Sequence, residues 1–133
     1  MTGADIIGAV LRAHAPLIAI VPVERIKGGR LPDDVALPAL LVRTISSGER
    51  PALKRQATVR ITDRVAVAVR AASYREQKAI MKLVRSCCAG RTGAVGGGQG
   101  VAIADAGGGP DLNGPGNSFE QSQDYRVGFL DAA

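Results

Sequence analysis

The chain has 133 residues, 46% of them hydrophobic but only 3% aromatic, which suits one domain with an aliphatic core and leaves few rings for stacking nucleic-acid bases. Its formal charge of +5 is unevenly placed: sixteen of the 17 Lys and Arg lie in residues 1–91 with seven acids, about +9, while residues 92–133 carry about −4. One histidine, two adjacent cysteines and no apolar run near ~20 residues exclude the usual His/Cys metal spacings, a disulfide framework and a membrane-spanning helix.

Thr2 and Asp5 have capping-box spacing, and Ile6, Ile7, Val10 and Leu11 mark one face of a helix ending near His14, with Pro16 as its stop. Residues 17–21 read as a short helical turn or irregular chain. A short strand is expected over residues 23–27, closed by Gly28 and Gly29, followed by a loop at 31–34. Pro38 opens a second strand over residues 39–46, a position where proline costs no ladder hydrogen bond. Residues 47–55 read as a polar connection that carries Arg50, Lys54 and Arg55.

From Ala57 the apolar parity runs through Val59, Ile61, Val65, Val67, Val69 and Ala71, interrupted only by Asp63. A turn at 62–64 would lack the Gly or Asn that tight hairpins favour, so the pattern predicts one long strand, bent or bulged near Asp63. Its other face carries Thr58, Arg60, Thr62, Arg64, Ala66, Ala68 and Arg70. Arginines at both ends with alanines between fit the close approach of a neighbouring subunit. The strand runs into Ser73, which has capping-box spacing to Glu76, and Ile80, Leu83, Val84 and Cys87 give the following helix an apolar face that stops at Gly90. Cys87 is expected to be a small buried hydrophobe. Adjacent helical cysteines point about 100° apart and form no relaxed disulfide, which favours synthesis in a reducing cytosol. No signal-peptide pattern is visible.

Residues 91–118 hold ten of the 17 glycines and are expected to be a flexible region, with a strand candidate at 101–104 and loops at 107–110 and 113–116. Residues 119–130 read as a closing strand in which Tyr125, Val127 and Phe129 alternate with Asp124, Arg126 and Gly128. The order of elements defines an α+β fold: a mostly antiparallel sheet with two helices packed on one face, in a single domain over 1–133.

No catalytic, cofactor-binding or metal-binding constellation is present in the sequence. The glycine runs contain neither G-x-G-x-x-G nor Gly-Lys-Ser/Thr. His14 stands alone, Asp33 and Asp34 lack a third ligand nearby, and the serines at 46, 47 and 86 lack a nucleophile-elbow pattern. The expectation is a protein without cofactor or enzymatic activity that acts through assembly. The charge distribution suits a contact in which the basic side of one subunit meets the acidic side of the next, and its other reading is a small basic nucleic-acid-binding module.

Three segments carry a resemblance. Val23-Glu24-Arg25-Ile26-Lys27-Gly28-Gly29-Arg30-Leu31-Pro32 precedes the Pro-initiated strand at 38–42; residues 65–79 join an alternating strand through Ser73 to a helix start with Glu76 and Ile80; and Asp124-Tyr125-Arg126-Val127 lies in the closing strand. In this order they resemble the tail completion, or tail terminator, proteins of long-tailed bacteriophages and gene transfer agents. The glycine-rich region is longer than that family's pattern. The resemblance implies a structural virion protein, made in the bacterial cytoplasm, that forms a hexameric ring at the head-proximal end of the tail tube. Such a ring ends tube polymerisation and joins the tail to the head connector. Implied partners are further copies of the chain, the tail tube protein and a connector or adaptor protein, with no membrane and with nucleic acid at most in the ring lumen. The expected subunit or partner interface is Arg50, Lys54, Arg55, Arg64, Ala66, Ala68 and Arg70, the first three facing an acidic surface. Another connector or head-completion protein is the nearest alternative.

Overall fold

A computed structural model describes residues 1–50 and 57–132. Helix α1 (Gly3–Arg12) carries both halves of the expected capping box: Thr2 Oγ1 accepts from the Asp5 N–H at 3.2 Å, and Asp5 Oδ2 accepts from the Thr2 N–H at 2.9 Å. Ile6, Ile7, Val10 and Leu11 are all buried. A four-residue helix α2 (Ala15–Ile18) has Pro16 in its first turn, and a 3-10 turn over Val23–Arg25 leaves only Ile26–Gly28 as strand β1. The expected strand over 23–27 is therefore mostly turn.

Strand β2 (Ala39–Arg50) runs four residues beyond its expected end, so residues 47–50 are ladder rather than connection. They are exposed and polar, and pairing with strand β3 (Thr58–Ala71) is what orders them. Strand β3 is one long strand, as the parity predicts, but the irregularity lies in its partner. The register passes from Thr44↔Val65 to Ser46↔Arg64, so Ile45 is the extra residue of a bulge in β2, and β3 is unbroken against the closing strand.

Helix α3 (Tyr74–Cys88) makes one half of its predicted box, Ser73 Oγ accepting from the Glu76 N–H at 3.2 Å. Its buried side chains are Gln77, Ile80, Met81, Val84, Cys87 and Cys88, with Leu83 at the margin, so both cysteines are interior. Gly90 has the positive φ of +76° expected after a helix, but its N–H donates to the Ile103 carbonyl at 3.0 Å. It starts a hairpin instead of turning back on the helix.

That hairpin corrects the linker expectation for residues 91–118. Strands β4 (Thr92–Val95) and β5 (Gly98–Gly108) pair antiparallel around Gly96 and Gly97, whose φ values are +58° and +82°. Two central residues with positive φ form the turn whose twist matches paired strands. A two-residue strand β6 (Leu112–Asn113) follows, then β7 (Phe119–Ala132).

The seven-stranded sheet has the order β1-β2-β3-β7-β5-β4, with β6 also on β7; the β1–β2 pair is parallel and the others antiparallel. Strands β3 and β7 pair without a shift from Thr58↔Ala132 to Ala71↔Phe119. Val65, Val67 and Val69 of β3 and Tyr125, Val127 and Phe129 of β7 form one hydrophobic cluster with the apolar residues of α1 and α3. This is the core face of the sheet.

Candidate functional site: the opposite face of the sheet

The register places even-numbered residues of β3 and β7 on the face opposite the core. Adjacent strands align them in rows. One row is Ala39, Arg70 and Glu120; the next are Leu41, Ala68 and Ser122, then Arg43, Ala66 and Asp124. Beyond the bulge the rows are Ser46, Arg64, Arg126 and Ala104; Gly48, Thr62, Gly128 and Ala102; and Arg50, Arg60, Leu130 and Gln99.

The seven residues expected to form an interface divide accordingly. Lys54 and Arg55 lie outside the described residues. Arg50, Arg64, Ala66, Ala68 and Arg70 all fall on this face. The two arginines flanking the alanines have acidic partners within the chain. Arg70 is 8% exposed, pairs with Glu120 of β7, and donates through Nη1 to the Pro32 carbonyl at 3.0 Å. Arg64 Nε donates to Asp124 Oδ2 at 2.8 Å, and its Nη2 donates to the Ala106 carbonyl at 3.0 Å. Ala66 is 2% exposed between Arg43 and Asp124, whereas Ala68 is half-buried.

The arrangement thus has two electrostatic ends. Arg70 is paired with Glu120 in its own row, and Asp124 sits one row from Arg64. The three rows beyond hold Arg50, Arg60, Arg64 and Arg126 and no acid. Arg50 stands directly across from Arg60, and Arg64 from Arg126. Arg60 lies over Gly128 and donates to the Gly100 carbonyl; a Cβ at position 128 would come within 2.6 Å of its guanidinium. The sequence reading of the interface omits Arg60 and Arg126, although parity with Tyr125 and Val127 puts Arg126 on this face.

A cleft of about 510 Å³ opens beside the edge of β2, lined by Asp5, Gly8 and Arg12 of α1, Gly29, and Arg43. Arg12 Nη2 is engaged with the Ile26 carbonyl at 2.9 Å. The displaced titrations lie elsewhere. The hydrogen bond to Lys78 holds Asp111 below the usual carboxylate range and raises Lys78 in turn. The Cys87 side chain and burial push the Cys88 thiol up, and burial does the same to Tyr125. Among the described residues no three metal-ligating side chains converge, and no helix is long and apolar enough to cross a membrane.

This α+β architecture is shared with a chain in a solved structure, the virion of a native gene transfer agent particle. The two are 15% identical, with a TM-score of 0.67, over 94% of this chain and 92% of that one. At such identity the likeness is one of fold. The sequence model of the family described as tail completion protein gp17 matches residues 6–129. The chain belongs to that family, and with it to the structural tail proteins of the virion, in agreement with the resemblance carried by residues 23–32, 65–79 and 124–127. Among curated proteins none matches.

Proposed function

We propose that this chain, as a single non-enzymatic domain over 1–133 with α1 and α3 on the core face of the sheet, forms a hexameric ring that ends the tail tube at its head-proximal end and joins it to the head connector. The observation that carries the reading is the family match over residues 6–129. The two edges of the sheet support it. Strand β1 leaves β2 at Gly28, and the Gly29 N–H takes the Val42 carbonyl at 2.9 Å. From Arg43 to Arg50 the outer edge of β2 has no partner strand among the described residues and is exposed. At the other end of the sheet, β4 is an edge as well. Unpaired edges are templates for another chain. Edge-to-edge joining of β2 on one copy to β4 on the next is a heterologous contact, which closes into a ring where the rotation between copies allows.

Two measurements test the proposal. Light scattering and negative-stain imaging of the purified chain, alone and with tail tubes, should show a ring in solution or at one tube end. Particles made without the chain should have tails of uncontrolled length that remain unjoined to heads. Tails of normal length joined to heads in its absence would overturn the reading, and a ring located on the head instead of the tube would favour a head-completion role.

A further inference from the structure

We propose that the arginine end of the sheet face, Arg50, Arg60, Arg64 and Arg126, binds the phosphodiester backbone of duplex DNA. The first reason is the placement of like charges. Arg50 faces Arg60 across neighbouring strands, a pair of like charges that repels unless an anion lies between, and Arg126 stands opposite Arg64. Arg64 is neutralised by Asp124, but Arg50, Arg60 and Arg126 have no acid partner among the described residues. Arg50 and Arg126 are exposed.

The second reason is what lies between them. Ser46, Gly48, Thr62, Gly128, Ala102 and Ala104 are all small, so no bulky side chain in these rows keeps a nucleic-acid backbone away from the guanidinium groups. Protein–protein interfaces centre on large apolar or aromatic anchors with charges depleted. These rows hold no aromatic anchor and, among the described residues, one large apolar side chain, Leu130, so their like-signed arginines match the polar, cationic character of DNA interfaces. All four cations are arginines, whose planar fork fits phosphate oxygens. The rows at Arg64 and Arg60 lie about 13 Å apart along the strand, a span over which duplex DNA presents about eight phosphate charges. No aromatic residue stands in these rows, so recognition is of backbone and independent of sequence. The inference goes beyond tail completion and does not rest on ring formation, since the surface belongs to one chain.

The test is fluorescence anisotropy of the full chain with a labelled mixed-sequence duplex of about 20 base pairs, titrated between about 50 and about 200 mM salt. With three unpaired arginines engaged, log K should fall against log salt with a slope of about −3, a loss of roughly 60-fold over that range. Arg126→Ala should reduce the slope by about one, and Arg50→Ala with Arg126→Ala by about two, with melting curves unchanged because both side chains are exposed. Arg75→Ala, on the exposed side of α3, should leave it unaltered. A second duplex of unrelated sequence should bind equally. Absence of binding at the lowest salt, or equal slopes for the double variant and the native chain, would overturn the proposal. So would displacement of DNA by poly-glutamate at equal charge, which would assign the patch to an acidic protein.

Discussion

Asp63 holds the first turn of α1: the Gly3 N–H donates to its Oδ2 at 2.8 Å across sixty residues of chain. The carboxylate is 3% exposed, and it also accepts at Oδ1 from the Ser47 hydroxyl. The one polar interruption in the parity of β3 is therefore an anchor for a helix N-terminus, where free N–H groups and the helix dipole favour a negative charge. The bulge at Ile45 belongs to the same arrangement. It shifts β2 by one residue, and Ser47 then stands opposite Asp63 on the core face.

Asp63→Ala should destabilise the fold by about 1–3 kcal/mol, chiefly because it orphans the buried Gly3 N–H, the exposed Ser47 hydroxyl being free to turn to water. Gly3→Ala should also destabilise, since a Cβ there would stand 2.8 Å from the Asp63 Cβ. Urea unfolding of both single variants and the double variant checks the link. The two costs should fall short of additive, as the alanine at 63 relieves part of the crowding. A cost for Asp63→Ala below about 0.5 kcal/mol would show that the carboxylate does not anchor the helix.

The turn of the β4–β5 hairpin should tolerate change at one glycine and not at the other. At Gly96 the φ of +58° disfavours a side chain, and a Cβ would lie 2.7 Å from the Ile6 carbonyl oxygen. Gly97, at φ +82°, meets only the end of the Met1 side chain at 3.3 Å. Gly96→Ala should cost about 1–3 kcal/mol, while Gly97→Asn should stay within about 0.5 kcal/mol, because asparagine tolerates left-handed backbone. Thermal melting of the two variants separates them, and equal losses would place the turn away from α1.

Tyr125→Phe should leave the protein as stable or more so, by up to about 1 kcal/mol. The ring is fully buried between β3 and β5 neighbours, and its hydroxyl has no hydrogen-bond partner among the described residues. Removing an unsatisfied buried hydroxyl keeps the packing and ends a desolvation cost. The expected rise in melting temperature is roughly 3–5 °C per kcal/mol for a chain of this size. A fall of several degrees would reveal a partner for the hydroxyl.

Legibility of the fold follows burial. Strands β3 and β7 and helix α1 are readable because each buries one face, so alternation or helical spacing survives in the residues. The end of β2 is not, because residues 43–50 are exposed and only the ladder with β3 holds them. The β4–β5 hairpin hides in glycine-rich composition, although Gly96-Gly97 ahead of Val101 and Ile103 is itself a two-residue turn signal. For the candidate site, parity alone places Arg64, Ala66, Ala68 and Arg70 together. Which acids lie beside them depends on the β3–β7 register, which pairs residues far apart in the chain. Arg50 comes to face Arg60 only because of the bulge at Ile45.

The contact between α3 and the segment before β7 should depend on pH at its acidic end. Lys78 Nζ donates to Asp111 Oδ1 at 2.6 Å and to Gln121 Oε1 at 3.1 Å, and the Tyr74 hydroxyl donates to Asp111 Oδ2 at 3.0 Å. The hydrogen bond to Lys78 depresses the Asp111 carboxyl. A depressed carboxyl contributes stability that is present above its unfolded value and lost as pH falls through its folded one. Lys78 is raised, so its share is present below its unfolded value and fades only as pH rises through its folded value in the alkaline range. In carbon-detected NMR titrations, Asp111 should therefore titrate below a free aspartate, and Lys78→Met should move it back towards the ordinary range. Both groups are at the surface, so the global melting temperature should change little, while the protection of the Leu112 and Asn113 amides, taken relative to their intrinsic exchange rates at each pH, should fall in acid. An Asp111 titration that Lys78→Met leaves unmoved would mean the pair does not form in solution.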